Sequence, residues 1–129
     1  SDSNIYNLEG LELSELKEFE VHYCNALESV NGITGFSNNL IKVVFDNCKK
    51  LKYYEGLRFA LNIEVLIMTN CGDIPSLFWL SDLKKLKLLN FFNTKLVDGD
   101  TSFCLPIDEV IFKNQNYYNF KQVDFDRNN

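Results

Sequence analysis

The apolar residues of this chain follow a pattern that occurs five times in succession. In each copy, apolar side chains stand eight, five and three positions before a small or polar residue, here termed the anchor. The first copy places Leu16, Phe19 and Val21 before the anchor Cys24. The five anchors are Cys24, Cys48, Cys71, Thr94 and Gln115, separated by 24, 23, 23 and 21 residues. This spacing indicates a stack of similar coils.

Each copy predicts one β-strand. The apolar positions at offsets −5 and −3 alternate with the positions at −6, −4 and −2, which is the period of two of a strand. Neighbouring strands stack about 4.8 Å apart, so successive coils should form a parallel sheet. Three residues after each anchor the pattern predicts another core residue, and these are Leu27, Leu51, Ile74, Val97 and Tyr118.

The segments after the anchors have an apolar period near three, as in Leu51, Tyr54 and Leu57. That period predicts 3₁₀ and irregular turns on the convex side, with a helical turn or two only between residues 76 and 88. Trp79 is expected in the convex core.

The chain is predicted to be one domain. Residues 1–15, with Leu8, Leu11 and Leu13, are interpreted as a partial coil and N-terminal cap. Residues 16–115 hold the five repeats, and residues 116–129 the C-terminal cap, because an uncapped stack would expose its core.

The pattern L-x-x-L-x-L-x-x-(C/T/Q) resembles the leucine-rich-repeat family over nearly the whole chain. The resemblance implies an α/β fold, namely a leucine-rich-repeat solenoid, or horseshoe. It would have a parallel β-sheet on the concave face and short 3₁₀ or irregular convex segments. Because this fold serves many partners, the fold alone does not specify a function.

The C-terminal part has a narrower resemblance. Asn93-Thr94, Val97-Asp98-Gly99-Asp100, Cys104 and Tyr117-Tyr118-Asn119-Phe120-Lys121 are similar to N-T-x-(V/I)-x-D-G-D-L-S-x-C…H-Y-N-x-K of small bacterial leucine-rich-repeat proteins. Thr101 and Tyr117 depart from that pattern, which has Leu and His there. Some such proteins act as immunity proteins that block a toxin encoded beside them. The resemblance implies an inhibitor-type binder, and the motif is expected to cap the solenoid.

Composition narrows the range of partners. The chain has 129 residues and a net charge of −5, which disfavours nucleic acid and anionic lipid and favours a basic partner such as a basic, nuclease-like toxin domain. It contains no apolar stretch of about 18 residues, so no membrane span is expected. The amino terminus lacks a signal-peptide pattern, and a reduced, cytoplasmic protein is predicted. The oligomeric state stays open.

No residue set predicts catalysis, a metal or a cofactor. The cysteines lack the paired C-x₂₋₄-C spacing of zinc sites, and their thiols are expected to meet the backbone of the bend. Asp98-Gly99-Asp100 predicts a tight turn and not a calcium loop. His22 could pair with Glu20 or Asp46, but no nucleophile motif accompanies them. An enzyme that uses these three residues is therefore the least favoured hypothesis.

The strand positions that point away from the core are unusually apolar. Such an apolar centre surrounded by charge is typical of a protein interface. The predicted partner-binding residues are Glu18, Glu20, His22, Val44, Asp46, Val65, Ile67, Leu88, Asn90, Phe92 and Ile111. Alternatively, the C-terminal segment or a second copy covers this patch. The alternative function is that of a recognition or adaptor fragment of a larger leucine-rich-repeat receptor or surface protein.

One further column precedes the anchors and consists of Asn47, Asn70, Asn93 and Asn114. These residues could bond backbone groups at the strand exits or contact a partner; a structural role is favoured, because Asn tolerates bent backbone conformations.

Overall fold

The computed structural model describes residues 16–31 and 38–126. The predicted N-terminal cap with Leu8, Leu11 and Leu13 lies outside the described residues, as do residues 32–37 and 127–129.

Five parallel strands form one sheet in the order β1-β2-β3-β4-β5. They are β1 Glu18–His22, β2 Lys42–Asp46, β3 Val65–Thr69, β4 Leu88–Asn90 and β5 Glu109–Ile111. The predicted register is confirmed, because Glu20 pairs with Val44, Val44 with Ile67, and Ile67 with Asn90. Each strand therefore occupies the same position in its coil, and the arrangement is compatible with a solenoid.

The connections between strands contain short 3₁₀ turns at Glu55–Phe59, Phe78–Asp82 and Thr101–Cys104, and a fourth, Gln122–Phe125, follows β5. The convex 3₁₀ turns are as predicted, but the helical turn expected between residues 76 and 88 is wrong in type. There, the N–H groups of Leu80, Leu83 and Leu86 bond to carbonyls three residues earlier, which is the 3₁₀ pattern. The coil is too short for a longer helix. None of the described helical segments is long and apolar enough to cross a membrane.

The core lies between the sheet and the 3₁₀ turns. The inward strand residues Val43, Phe45, Leu66 and Met68 are fully buried. Trp79 is buried as predicted, and its indole Nε1 donates to the carbonyl of Ser76 at 2.9 Å. Burial of these apolar side chains is the main favourable term in folding.

One predicted core position is wrong. Val97 is 51% exposed, whereas its neighbour Leu96 is fully buried. Leu96 pairs with Ile74 of the preceding coil, one position earlier than equal spacing would predict. The coil that follows Thr94 is also the shortest, with 21 residues to the next anchor.

The C-terminal segment covers the free edge of β5. The amide of Gln122 accepts from the Phe112 N–H at 2.7 Å and donates to the Val110 carbonyl at 2.7 Å. Tyr118 and Phe125 are buried against Phe112, with ring centroids 5.7 and 5.6 Å apart. This segment therefore satisfies edge groups of the sheet that would otherwise remain open.

Candidate protein-binding face

The face of the sheet that points away from the core, here termed the outer face, collects the predicted partner-binding residues. Two of its columns run across all five strands in register. One column consists of Glu18, Lys42, Val65, Leu88 and Glu109. The second consists of Glu20, Val44, Ile67, Asn90 and Ile111.

The centre of the outer face is apolar. Val65, Ile67, Leu88 and Ile111 are partly exposed, although their strand neighbours on the inner side are buried. Isolated exposed apolar side chains are common on proteins, but Val65, Ile67 and Leu88 are neighbours on β3 and β4, and Ile111 lies on β5 beyond Asn90.

Val44 departs from the prediction, because it is 6% exposed and was expected to face open water. It still belongs to the outer face, since Val43 and Phe45 on either side point into the core cluster and Val44 does not. Glu20 lies directly beside it on β1, and Lys42 and Asp46 flank it on β2. Glu20, Lys42 and Asp46 are thus the polar neighbours of Val44 on β1 and β2.

Those neighbours form a chain of contacts, here termed the polar arc. Lys42 Nζ lies 3.9 Å from Glu20 Oε2, and Glu20 Oε1 lies 3.0 Å from His22 Nε2. His22 Nδ1 lies 3.3 Å from Asp46 Oδ2, and the Thr69 hydroxyl donates to Asp46 Oδ1 at 2.8 Å. The arc joins side chains of β1, β2 and β3 around Val44.

The polar arc shifts the pKa values of two of its members. Hydrogen bonds to Glu20 and then to Asp46 raise the pKa of His22. For Asp46, desolvation acts to raise the pKa, but the hydrogen bonds from Thr69, His22 and Asn47 outweigh it and the pKa is lowered. Both pKa shifts favour the charged forms, and a protonated His22 ring would form an ion pair with Asp46.

This geometry is that of an ion-pair network. A general base needs a ring nitrogen directed at the group it deprotonates. Both ring nitrogens of His22 face carboxylate oxygens, and the Thr69 hydroxyl bonds to Asp46.

The outer face continues past the end of β4. Phe92 follows the strand, and its side chain is 43% exposed. The Phe92 carbonyl accepts a hydrogen bond from the Asn70 N–H, and the Thr69 carbonyl accepts the equivalent bond from the Asn47 N–H in the coil before. The Asn90 side chain accepts from the Phe92 N–H at 3.0 Å. Asn90, predicted as a contact residue, therefore also holds the turn that positions Phe92.

Three of the four column asparagines shape the strand exits as predicted. Asn47, Asn70 and Asn93 have φ values of +58°, +53° and +60°, in the left-handed region that Asn adopts more readily than most residues. Asn114 does not have a positive φ, and its side-chain oxygen accepts from the Gln122 N–H at 2.7 Å.

Tyr23 occupies the same position in the first coil with a φ of +54°, and its side chain is 70% exposed. Sequence reasoning missed Tyr23. The signal was available, because it is the one residue that interrupts a column of asparagines. A bulky residue in this conformation is strained, and such strain clusters at functional sites.

The anchors connect each coil to the one before it. The Cys71 thiol lies 3.3 Å from the Phe45 carbonyl, and the Thr94 hydroxyl donates to the Met68 carbonyl at 2.6 Å. The Cys48 thiol is similarly placed 3.7 Å from the Val21 carbonyl. The expectation that these thiols meet the bend backbone is confirmed. Within residues 16–31 and 38–126, no group of three or more His, Cys, Asp or Glu side chains is placed to hold a metal ion.

Asp98-Gly99-Asp100 forms the predicted tight turn. Gly99 has a φ of +69°, and Asp98 Oδ1 accepts from the Asp100 N–H at 2.9 Å. Asp100 Oδ1 accepts in turn from Ser102 and from the Asn119 amide. These carboxylates are used within the turn and the C-terminal cap.

Comparison of the chain with protein-family models, with curated proteins and with solved structures found no match.

Proposed function

We propose that this chain is a leucine-rich-repeat protein without enzymatic activity, whose outer face binds and inhibits another protein, in the manner of a bacterial immunity protein that neutralises a cognate toxin. The observation that carries the proposal is the apolar centre of the outer face with charged groups around it. This is the usual anatomy of a protein interface.

The apolar patch is partly open to solvent in the described part of the chain. Val65, Ile67 and Leu88 stay partly exposed while the C-terminal segment packs on the edge of β5 and on the core. Solvating such side chains costs free energy that a partner would recover on binding. The sequence left open that the C-terminal segment covers the apolar patch. The described part of that segment leaves the patch partly exposed.

The charges favour a basic partner. The chain carries a net charge of −5, and Glu18, Glu20 and Asp46 lie at the β1–β2 end of the outer face, with Glu109 on β5. Complementary charge accelerates encounter and suppresses wrong partners. A basic toxin domain, such as a nuclease, that acts in the same cytoplasm fits this charge and is part of the proposal.

Growth rescue tests the proposal. Expression of the product of the adjacent open reading frame should arrest growth, and co-expression of this chain should restore it. The Ile67→Asp variant should lose rescue and weaken binding by at least about 2 kcal/mol, because a charge would replace a central apolar contact. It should remain folded by circular dichroism, since Ile67 is outside the core.

The matched control is Phe59→Asp, which changes an exposed apolar residue on a 3₁₀ turn away from the outer face. It should rescue growth like the unaltered chain. Absence of both rescue and co-purification would contradict the proposal, as would a hydrolase activity that disappears in His22→Ala.

Tyr23 permits a second test. Tyr23→Asn should fold at least as stably as the parent, because Asn suits the left-handed backbone that the other coils give to Asn. If the exposed ring is a contact, the variant should bind the partner at least about tenfold more weakly, as expected for a Tyr hot spot. Unchanged affinity by calorimetry would remove Tyr23 from the interface.

A further inference from the structure

His22 is held between two acids on the outer face. Its Nε2 lies 3.0 Å from Glu20 on its own strand, and its Nδ1 lies 3.3 Å from Asp46 on β2. Lys42 of β2 lies on the far side of Glu20, and β3 contributes the neutral hydroxyl of Thr69. A carboxylate can only accept, so both contacts are satisfied together only when both ring nitrogens carry a proton.

Loss of one proton breaks this arrangement. A neutral ring directs one lone pair at a carboxylate oxygen, and that contact becomes repulsive. One of the two acids must then move away.

The surroundings decide which acid moves. Asp46 keeps hydrogen bonds from the Thr69 hydroxyl at 2.8 Å and from the Asn47 amide at 3.2 Å, and its side chain is 24% exposed. Glu20 has the Lys42 ammonium at 3.9 Å, and its side chain is 42% exposed. Glu20 has fewer restraints and more access to water, so it is the acid that separates.

Glu20 is also the register partner of Val44. Val44 is 6% exposed in the arrangement with the polar arc closed. Movement of Glu20 would uncover Val44 and extend the apolar patch from Ile67 toward β1. The same step makes the outer face one charge more negative, which favours a basic partner.

We propose that His22 is a pH switch of the outer face: the imidazolium holds Glu20 over Val44, and its deprotonation releases Glu20, opens Val44 and favours the basic partner. This inference rests on the proposed binding function, whose binding surface it regulates. The raised pKa of His22 agrees with the contacts that define the closed arrangement.

Nuclear magnetic resonance of the free chain tests the switch. His22 is the only histidine, so its ring signals are unambiguous. A neutral gadolinium chelate measures the exposure of the Val44 methyl groups. Their relaxation enhancement should rise at least about twofold between about pH 5 and about pH 9, the range in which His titrates. The midpoint should match that of the His22 ring.

Two variants separate the switch from a general effect of pH. Glu20→Gln should keep Val44 covered throughout, because an amide can accept from the ring or donate to its lone pair. Glu18→Gln removes a carboxylate two residues earlier on the same strand, and Val44 should still open as in the parent chain.

A constant Val44 exposure through the His22 midpoint would overturn the proposal, as would a pH response that persists in Glu20→Gln. The measurement uses the chain without a partner. Its failure would therefore leave the growth-rescue result unaffected, and failed rescue would leave this result unaffected.

Discussion

Replacing Thr94 by Val tests how adjacent coils are joined at the anchors. The Thr94 hydroxyl donates to the Met68 carbonyl at 2.6 Å and accepts from the Cys71 N–H at 2.9 Å. Thr94 is 4% exposed, and both bonds are buried. Val has nearly the same shape, so the substitution removes the hydroxyl and leaves the packing in place.

The expected loss of stability follows from the two bonds. A buried N–H without an acceptor costs about 1–3 kcal/mol, and the lost bond to Met68 adds about 0.5–1.5 kcal/mol. We therefore expect Thr94→Val to lower the free energy of unfolding by about 2–4 kcal/mol. Urea denaturation followed by circular dichroism measures this difference, with an unchanged slope showing that only stability has changed.

The control is Thr94→Cys, which introduces the residue that the three preceding coils have at this position. A thiol can donate to Met68 as Cys71 does to Phe45, but it accepts poorly from an N–H. Thr94→Cys should lower the free energy of unfolding by about 1–2 kcal/mol, so that its stability lies between those of the parent and Thr94→Val. If Thr94→Val stays within about 0.5 kcal/mol of the parent, the anchors do not join the coils in this way.

Three further predictions test the fold. In urea denaturation, Leu96→Ala should lower the free energy of unfolding by about 2–5 kcal/mol and Val97→Ala by under about 0.5 kcal/mol, because only Leu96 is buried. A larger loss for Val97→Ala than for Leu96→Ala would contradict the described register. Gly99→Ala should lower the free energy of unfolding by at least about 1–2 kcal/mol, since the φ of Gly99 is +69° and an added Cβ would lie 2.6 Å from the Tyr117 ring. Calorimetry measures this loss, and an unchanged melting temperature would refute the prediction. The parent should have a higher free energy of unfolding than His22→Ala, and this difference should be largest below about pH 6.5. It should shrink as the pH rises through the raised pKa of His22, because the folded state binds the proton more tightly than the unfolded state. A difference that grows over that range, in urea titrations at several pH values, would contradict the ion-pair arrangement.

The strand register could be predicted from the sequence for a simple physical reason. Alternation of period two leaves each strand one way to bury its apolar side chains, and a slip by one residue would expose all of them. Phe45 and Met68 had to face inward, and Val44 and Ile67 had to lie on the opposite face. The bend at Asn47 and Asn70 was equally predictable, since few residues tolerate a positive φ.

The coverage of Val44, the inward position of Leu96 and the strained backbone of Tyr23 were decided by tertiary structure. The first depends on packing between neighbouring strands, which is not encoded in the period of either strand. The second depends on how two neighbouring coils pair, with Leu96 and not Val97 opposite Ile74. The periodic pattern determined which face each side chain occupies, and the packing of neighbouring coils determined how much of that face meets water.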